Sequence, residues 1–432
     1  MVSSTDVIVK VDCELQFGDG EDPHPGQIVL TEGGGLGVNF DQGTVRQLET
    51  GKAWSELRGT DTENREVILD HAITSRIQNS WLTEVDTTSA VIATDEEEAP
   101  GPDCTVVIDF DLLCFQPYIP PINQVDRDTR QVVEQGLEMD VPEKEFLYVE
   151  TDEAEIYGVP FVDTANRVDY VKEEGQRLRT GKIRVKQEKN GSIRHHVDSV
   201  EDDMQRILEL SQLVQETTPR FVRAKVVSID GNPIEEVEPY YEKLYSGETA
   251  DVGGRFAPFP KKILWGDFPD YLRQAWDAYT PRVRNELRLR QVLGYYVDAR
   301  DPDRAVQAKL LSTCSAIELF ALWHAREDET SESTGEKIQH TIDKLDVETE
   351  DLANQVVDDP SELDIPEYFW KRERNHVVHG APNASNTELI TAQEATLVLL
   401  KRLLRNQLLG AENDSFEKFY SMQPRPSITV DD

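Results

Sequence analysis

Apolar and polar positions alternate with a period of two through the first half of the chain and with a helical period through the last third. Val7-Ile8-Val9-Lys10-Val11 and Thr105-Val106-Val107-Ile108-Asp109-Phe110 are β-branched runs closed by turn residues, which predicts strands. Further strands are expected at 66–69, 90–93 and 146–149, with an exposed acidic loop over 95–102 and a three-proline break at 117–123. Ser199-x-x-Asp202 has capping-box form and precedes the stripe Met204, Ile207, Leu208 and Val214, so a helix is expected near 199–216. A strand follows at 221–229, a turn at Asp230-Gly231-Asn232-Pro233 and a return strand at 237–241.

Beyond a glycine- and proline-bearing linker at 247–262, the apolar spacing becomes helical. Thr280-Pro281 opens a helix running through Val283, Leu287 and Tyr295 toward Asp301-Pro302. The next, about 303–327, carries Leu310, Leu311, Cys314, Ile317 and Phe320, and Thr334 opens a shorter one through Ile338, Ile342 and Leu345. Asp364 and Glu367, with Pro366 between them, start a helix that Gly380 and Pro382 stop. Thr391-x-x-Glu394 caps a last helix whose stretch 397–409 is the most apolar of the chain. The expected fold is α+β: a β-rich N-terminal domain over 1–246, the linker, an all-α bundle over 263–410 and a flexible tail over 411–432.

Charge alters this picture more than hydropathy does. The 432 residues hold 83 acidic against 45 basic side chains, a net charge of −38, and the acidity runs through predicted helices and loops alike. Pervasive acidity with scarce lysine reads as adaptation to high salt, as in haloarchaea. A field of that sign repels nucleic acid and anionic lipid unless a local patch reverses it. One stretch does so: from 177 to 194, Arg177, Arg179, Lys182, Arg184, Lys186, Lys189 and Arg194 face the single acid Glu188, a local net of +6. Lys182-Ile183-Arg184-Val185-Lys186 alternates basic and apolar residues, and Asn190-Gly191 reads as a hairpin turn, so the cations would line one face of a ribbon. That ribbon is either a nucleic-acid-binding surface or an edge kept soluble by charge or paired with acidic neighbours.

Other candidate chemistry is sparse. Gly33-Gly34-Gly35-Leu36-Gly37 lacks the Lys-Ser/Thr of a phosphate loop and the spacing of a dinucleotide fingerprint, and reads as a flexible loop joining strands. Cys13, Cys104, Cys114 and Cys314 have neither disulfide-framework nor metal-site spacing, and the adjacent His195-His196 find no third ligand, so they are expected to face solvent. No metal or cofactor is expected. Without a basic-apolar leader or an apolar run of membrane-spanning length, the chain reads as soluble and cytoplasmic with no membrane partner.

The remaining candidate is Arg374-Asn375-His376-Val377-Val378-His379-Gly380. Asn375 and His379, four apart, share a helix face, and Arg374 lies about 140° from His379, a gap its long side chain partly closes. A guanidinium can clamp a phosphate in a fork and an imidazole can move protons near neutral pH. The bland alternative is a helix end with Gly380 as C′ cap and His379 facing the helix dipole.

Arg-Asn, three residues, then His-Gly, closing a helix in a C-terminal helical region, resembles the Arg-x4–6-His signature of the HEPN superfamily. Arg374 and His379 match its two defining positions, and Asn375 the polar residue that often follows the arginine. Ala-Ile-Glu-Leu around Glu318 is similar to the second helix of such bundles, so Glu318 either approaches the motif or sits on a polar surface. The helix and hairpin that close the β-rich part resemble the corresponding region of ApeA-like HEPN proteins. The resemblance implies a metal-independent endoribonuclease leaving 2′,3′-cyclic phosphate ends, a homodimer through the helical domain, RNA as partner, and a role in antiviral defence or as a toxin, with the β domain as sensor or site for an inhibitory partner. Two alternatives stand beside it: a non-catalytic dimeric module that binds nucleic acid or nucleotide, and a purely structural halophilic interaction protein.

Overall fold

A computed structural model of the chain describes residues 3–18, 22–40, 45–46, 50–78, 81–94, 104–115, 148–151, 154–161, 167, 170–171, 176–188, 191–215, 218–233, 240–247, 267–286, 288–301, 304–327, 333–356, 370, 373–378 and 386–411. They fall into two compact units: Met1–Gln205 with Pro219–Val252, and Arg206–Thr218 with Gly253–Asp432.

The first unit is built on antiparallel strands. Six of them close on themselves: β1 (Val7–Gln16), β2 (His24–Thr31), β3 (Leu36–Phe40), β7 (Trp81–Asp86), β6 (Glu66–Gln78) and β5 (Ala53–Asp61), with β5 returning to β1. The short β4 (Val45–Arg46) adds to β7. Closure removes free edges, and the period-two pattern fills the interior: Cys13, Leu15, Ile28, Leu30, Leu36, Val38 and Phe40 are buried while the residues between them are not. The 13-residue β6 serves two sheets. Its residues 66–70 pair with β8 (Ser89–Ala93), its later residues with β7, and the exchange falls at His71, which has φ 49°.

From β8 the sheet continues through β15 (Tyr241–Tyr245), β13 (Arg220–Ile229), β9 (Thr105–Leu113), β12 (Arg179–Glu188), β11 (Ala154–Pro160) and β10 (Tyr148–Glu150), with β14 (Asn232–Pro233) on β13. The basic segment is therefore not an edge ribbon. β12 makes ladders with β11 on one side and β9 on the other; Asn190 of the expected hairpin turn lies outside the described residues, and helix α1 (Ile193–Gln215) begins two residues after Gly191. That helix starts six residues before the expected Ser199 because Ser192 supplies equivalent capping: its Oγ accepts from His195 N–H at 3.3 Å. Ser199 lies inside the helix and donates to the His196 carbonyl at 2.9 Å. The turn Thr31–Gly35 joins β2 to β3 with Gly34 at φ +81°. Its N–H groups are already committed, Gly33 to Ser4 O, Gly34 to Thr31 O and Gly35 to Thr31 Oγ1, which leaves none to cradle a phosphate.

In the second unit, residues 206–218 join a helical assembly, although the period of the chain had grouped them with the β-rich part. The assembly contains α2 (Asp267–Ala278), a π-helical turn at Arg282–Glu286, α3 (Leu289–Arg300), α4 (Val306–Glu327), α5 (Thr334–Lys344), α6 (Glu350–Val356), α7 (Glu373–Val378) and α8 (Asn386–Leu409). The helix expected from Thr280 to 301 is broken. Thr280 caps it by accepting from Val283 N–H, but Arg288 at φ 50° separates the π turn from α3. The capping box of α5 is Ser333 with Glu336, one residue before the expected start. The last helix begins at Asn386, with Thr391 inside it, and Leu397, Leu399, Leu400, Leu403, Leu404 and Leu408 are all buried. Its apolar excess is core, not spare surface. The expected cap at Asp364–Glu367, most of the linker and the tail beyond 411 lie outside the described residues.

A buried carboxylate holds α1 to this assembly. Glu209 accepts from Arg284 Nε at 2.6 Å and Nη2 at 3.0 Å, and from Tyr279 Oη at 2.8 Å, with Arg290 Nε at 3.0 Å from its other oxygen. Burial and the Glu209 charge push the Tyr279 hydroxyl far above the usual phenol range, so it remains a donor. Arg206 crosses to the Trp276 and Tyr279 carbonyls, both at 3.1 Å. Glu209→Gln should lower stability by about 3 kcal/mol, because Arg284 would keep its charge in a buried place while losing the Glu209 carboxylate. Denaturant melts followed by far-ultraviolet circular dichroism test this; a loss under about 0.5 kcal/mol, the surface-substitution range, would mean that the clamp is not structural.

Candidate functional site

The motif arginine is positioned by apolar contacts on either side of it. On α4, Leu310 and Cys314 lie four apart on one face and pack with Leu389 of α8, Trp370 and Val377 of α7. Glu318 continues that α4 face four residues on, and Arg374 lies three residues before Val377 on α7. The two side chains meet: Arg374 Nη2 is 3.8 Å from Glu318 Oε2. Trp370 completes the group, its indole N–H donating to Glu318 Oε2 at 3.3 Å while the Arg374 guanidinium stands 5.5 Å from the ring centroid.

The charged pair is loose and wet. The Arg374 and Glu318 side chains keep 36% and 38% of their surface in solvent, so the contact contributes well under about 1 kcal/mol. A guanidinium has five N–H donors, and among the described residues Arg374 meets only Glu318 and the indole. Among the described residues, most of its hydrogen-bonding capacity is left for an incoming anion. The side chain of Asn375, the side chain of His376 and the whole of His379 lie outside the described residues.

No family model, curated protein or solved structure matches the chain.

Four of the seven cations of the basic segment meet acids among the described residues. Arg179 binds Glu32 through Nε and Nη2, both at 2.9 Å, and Asp111 through Nη1 at 2.5 Å. Arg184 grips Asp109 at 2.6 and 3.1 Å, Lys182 reaches the same carboxylate at 3.4 Å, and Lys186 is 3.7 Å from Glu188. Arg177 donates to the Gly247 carbonyl at 3.0 Å, Arg194 is half-buried on α1, and Lys189 lies outside the described residues. Of the alternatives for this segment, pairing with acidic neighbours describes its geometry. The signal was present in the sequence: Asp109 and Asp111 stand two apart in an otherwise apolar strand, a spacing that puts both on one face. The ladder places Arg184 opposite Asp109 and Lys182 opposite Asp111.

His195 is exposed, as expected, but His196 is fully buried, with Nδ1 2.8 Å from Gln187 Oε1 and Nε2 4.0 Å from Cys104 Sγ. All four cysteines are buried free thiols; burial pushes Cys13 up to about 12 and raises Cys104 as well, so neither is poised as a thiolate. Among the described residues no three His, Cys, Asp or Glu side chains converge as a metal site, and no helix is long and apolar enough to cross a membrane. A cleft of about 600 Å³ in the first unit is walled by Asp12, Glu14, Gln27, Asn39, Asp61 and Asn64, an acidic lining that opposes phosphate.

The Glu32 pair carries a pH dependence. Burial alone would raise its carboxyl, but the hydrogen bonds and charges of Arg179 and Arg167 outweigh burial and hold it below the ordinary value of 4.5. A lowered folded value means that the stabilisation is complete above that ordinary value and fades as pH falls toward the folded one. The wild-type stability should therefore decline below about pH 4.5, and Glu32→Gln should flatten that part of the acid limb. Equal slopes for the two proteins in acid-range denaturant titrations would remove Glu32 from the account.

Proposed function

We propose that this protein is a metal-independent endoribonuclease of the HEPN type. The observation that carries the proposal is Arg374: a solvent-reaching guanidinium that meets only Glu318 and an indole among the described residues, two positions after which the chain continues through Val377 and Val378 to His379. In the proposed reaction Arg374 clamps the scissile phosphate through two N–H groups. His379 takes the proton of the ribose 2′-hydroxyl, whose oxygen attacks phosphorus. The P–O5′ bond breaks, the 5′-oxygen leaves with a proton taken from water, the imidazolium returns its proton to the resulting hydroxide, and a 2′,3′-cyclic phosphate remains. Asn375 orients one of the two residues, and Glu318 holds Arg374 until the anion arrives.

A second copy of the chain would bring two such motifs into one cleft, as symmetric homodimers readily do. Since Leu397, Leu399, Leu400, Leu403, Leu404 and Leu408 of α8 are spent in the core, support for this step comes from Val378 and Ile390, which remain 55% and 43% exposed at the end of the motif helix and near the start of α8. The β unit would serve as sensor or partner-binding half, and RNA cleavage in defence or growth arrest is the proposed role.

Total RNA incubated with the purified protein in high salt with EDTA, and the product ends mapped, tests the reaction. His379→Ala should lose roughly 10²–10⁴-fold in activity with fold and oligomeric state intact. Arg374→Ala should lose a comparable amount, and Arg374→Lys should stay well below wild type because a point charge cannot replace the fork. His376→Ala should be tolerated. Intact RNA with the wild-type protein, alongside measurable RNA affinity, would make the chain a binding module; full activity of His379→Ala in EDTA would remove the mechanism.

A further inference from the structure

The helical unit holds a second arginine–tryptophan group that the motif does not use. Trp323 on α4 is half-buried, and its Nε1 meets no hydrogen-bond acceptor among the described residues. The indole N–H is withdrawn from solvent, and guanidinium stacking is the polar contact that the ring makes among the described residues. Two guanidiniums stack on it: Arg326, one helical turn on, with Cζ 5.1 Å from the ring centroid, and Arg288, with Cζ at 5.7 Å. Both arginines are exposed, and among the described residues neither meets a carboxylate. In a chain with 83 acidic residues against 45 basic, two like charges brought to one ring, with no carboxylate meeting either among the described residues, carry a cost.

Arg288 bears a further cost. It adopts φ 50°, in the left-handed region where a long side chain is disfavoured, between the π turn and α3. No side chain caps α3 there, and no acid stands in its first turn. Strained non-glycine residues next to a π-helical turn recur at binding sites. Here the strain accompanies two cations that meet over one aromatic ring.

We propose that Arg288, Trp323 and Arg326 form a platform for single-stranded RNA, the indole stacking one base and the two guanidiniums taking the flanking phosphates. An exposed cation–π contact is weak, so an entering base displaces a guanidinium at little cost and frees its fork for a phosphate. Stacking on an aromatic ring tolerates any base, which suits a surface that grips substrate without choosing sequence. The choice of RNA as ligand rests on the endoribonuclease reading, but the platform is separate from the motif. Trp323 and Glu318 share α4 and are five residues apart, about 7.5 Å along the axis and about 140° around it.

The test uses the full chain in EDTA, a short fluorescein-labelled oligouridylate, and anisotropy titrations over a series of salt concentrations. Arg288→Gln/Arg326→Gln should weaken binding and lower the salt slope by about 1.4, two cations at ~0.7 each on a single strand. Trp323→Ala should weaken it at least about fivefold, and Trp323→Phe, which keeps a stacking ring, should bind close to wild type. Circular dichroism confirms folding, and the exposed glutamine pair decides the question should the tryptophan variants fail to fold. Affinity and slope unchanged in the double glutamine variant overturn the platform, as does uridine monophosphate binding as tightly as the oligomer, which would indicate a nucleotide pocket. RNA cleavage with platform-independent binding sinks the platform and leaves the nuclease standing. Platform-dependent binding without cleavage does the reverse.

Discussion

An ionised carboxylate withdrawn from water needs a cation within hydrogen-bond reach, and a chain so rich in acid meets this demand repeatedly. Among the described residues Glu32 is held by Arg167 and Arg179, Asp61 by Arg65, Asp109 by Arg184, Asp111 by Arg179, Glu242 by Arg223 and Glu209 by Arg284. Each of these acids has an arginine, joined at Asp109 by Lys182, and the planar fork suits the task because several of them accept two N–H groups at once. Such pairs add little net stability against an apolar replacement, yet breaking one is expensive. Their effect is therefore on uniqueness. Asp109 and Asp111 face β12 and β13 from the middle of the sheet, and a slip of one residue on β9 would turn both acids to the opposite, apolar face and strand the arginines.

This use of arginine gives meaning to the guanidiniums that are not consumed. Arg284 lies 2.6 Å from a carboxylate with 4% of its side chain exposed, whereas Arg374 lies 3.8 Å from one with 36% exposed. The first geometry fixes a fold; the second leaves charge and donors facing solvent. The same contrast separates the cations of β12, which the sequence offers as a basic patch, from Arg288 and Arg326, which the sequence scatters 38 positions apart. Concentration along the chain is a poor guide to concentration of field. What matters is whether acids on neighbouring strands cancel the charge.

The legible parts of the fold were those written in local period and turn chemistry. The runs at 7–11 and 105–110, the strands near 66, 90 and 221, and the helices beginning near 306 and 334 follow from alternation or a 3.6-residue stripe. Closure of the first six strands depends on the change of partner at His71, and no local residue type announces a left-handed histidine. The π turn and Arg288 were hidden for a related reason: the buried Arg284–Glu209 contact, between residues 75 apart, overrides an apolar spacing that reads as one continuous helix. α2 and α6, of 12 and 7 residues, are too short for their period to stand out. Of the candidate site, the pairing of Glu318 with the motif helix was legible through a resemblance in segment and order, while Trp370, four residues before Arg374, was not singled out, because a lone tryptophan in a helix reads as core.

Salt would act differently on the two classes of arginine. If the acidity of the chain is an adaptation to molar salt, the screening length at about 1 M is roughly 3 Å, and screening acts on exposed charges far more than on buried ones. The 2.6–3.0 Å contacts around Glu209 are sheltered from ions and persist. The solvent-reaching pair of Arg374 and Glu318, at 3.8 Å, loses most of its attraction. Under such conditions Glu318 becomes a weak competitor for the guanidinium, and a phosphate that offers two oxygens to the fork has an advantage a single screened carboxylate contact lacks. High salt also weakens every exposed phosphate contact by removing the gain from counter-ion release. An RNA-binding surface in such a protein must then depend on what salt leaves intact, namely stacking on indole rings and bidentate geometry, and Arg374 with Trp370 and Arg288 and Arg326 with Trp323 supply both kinds of group.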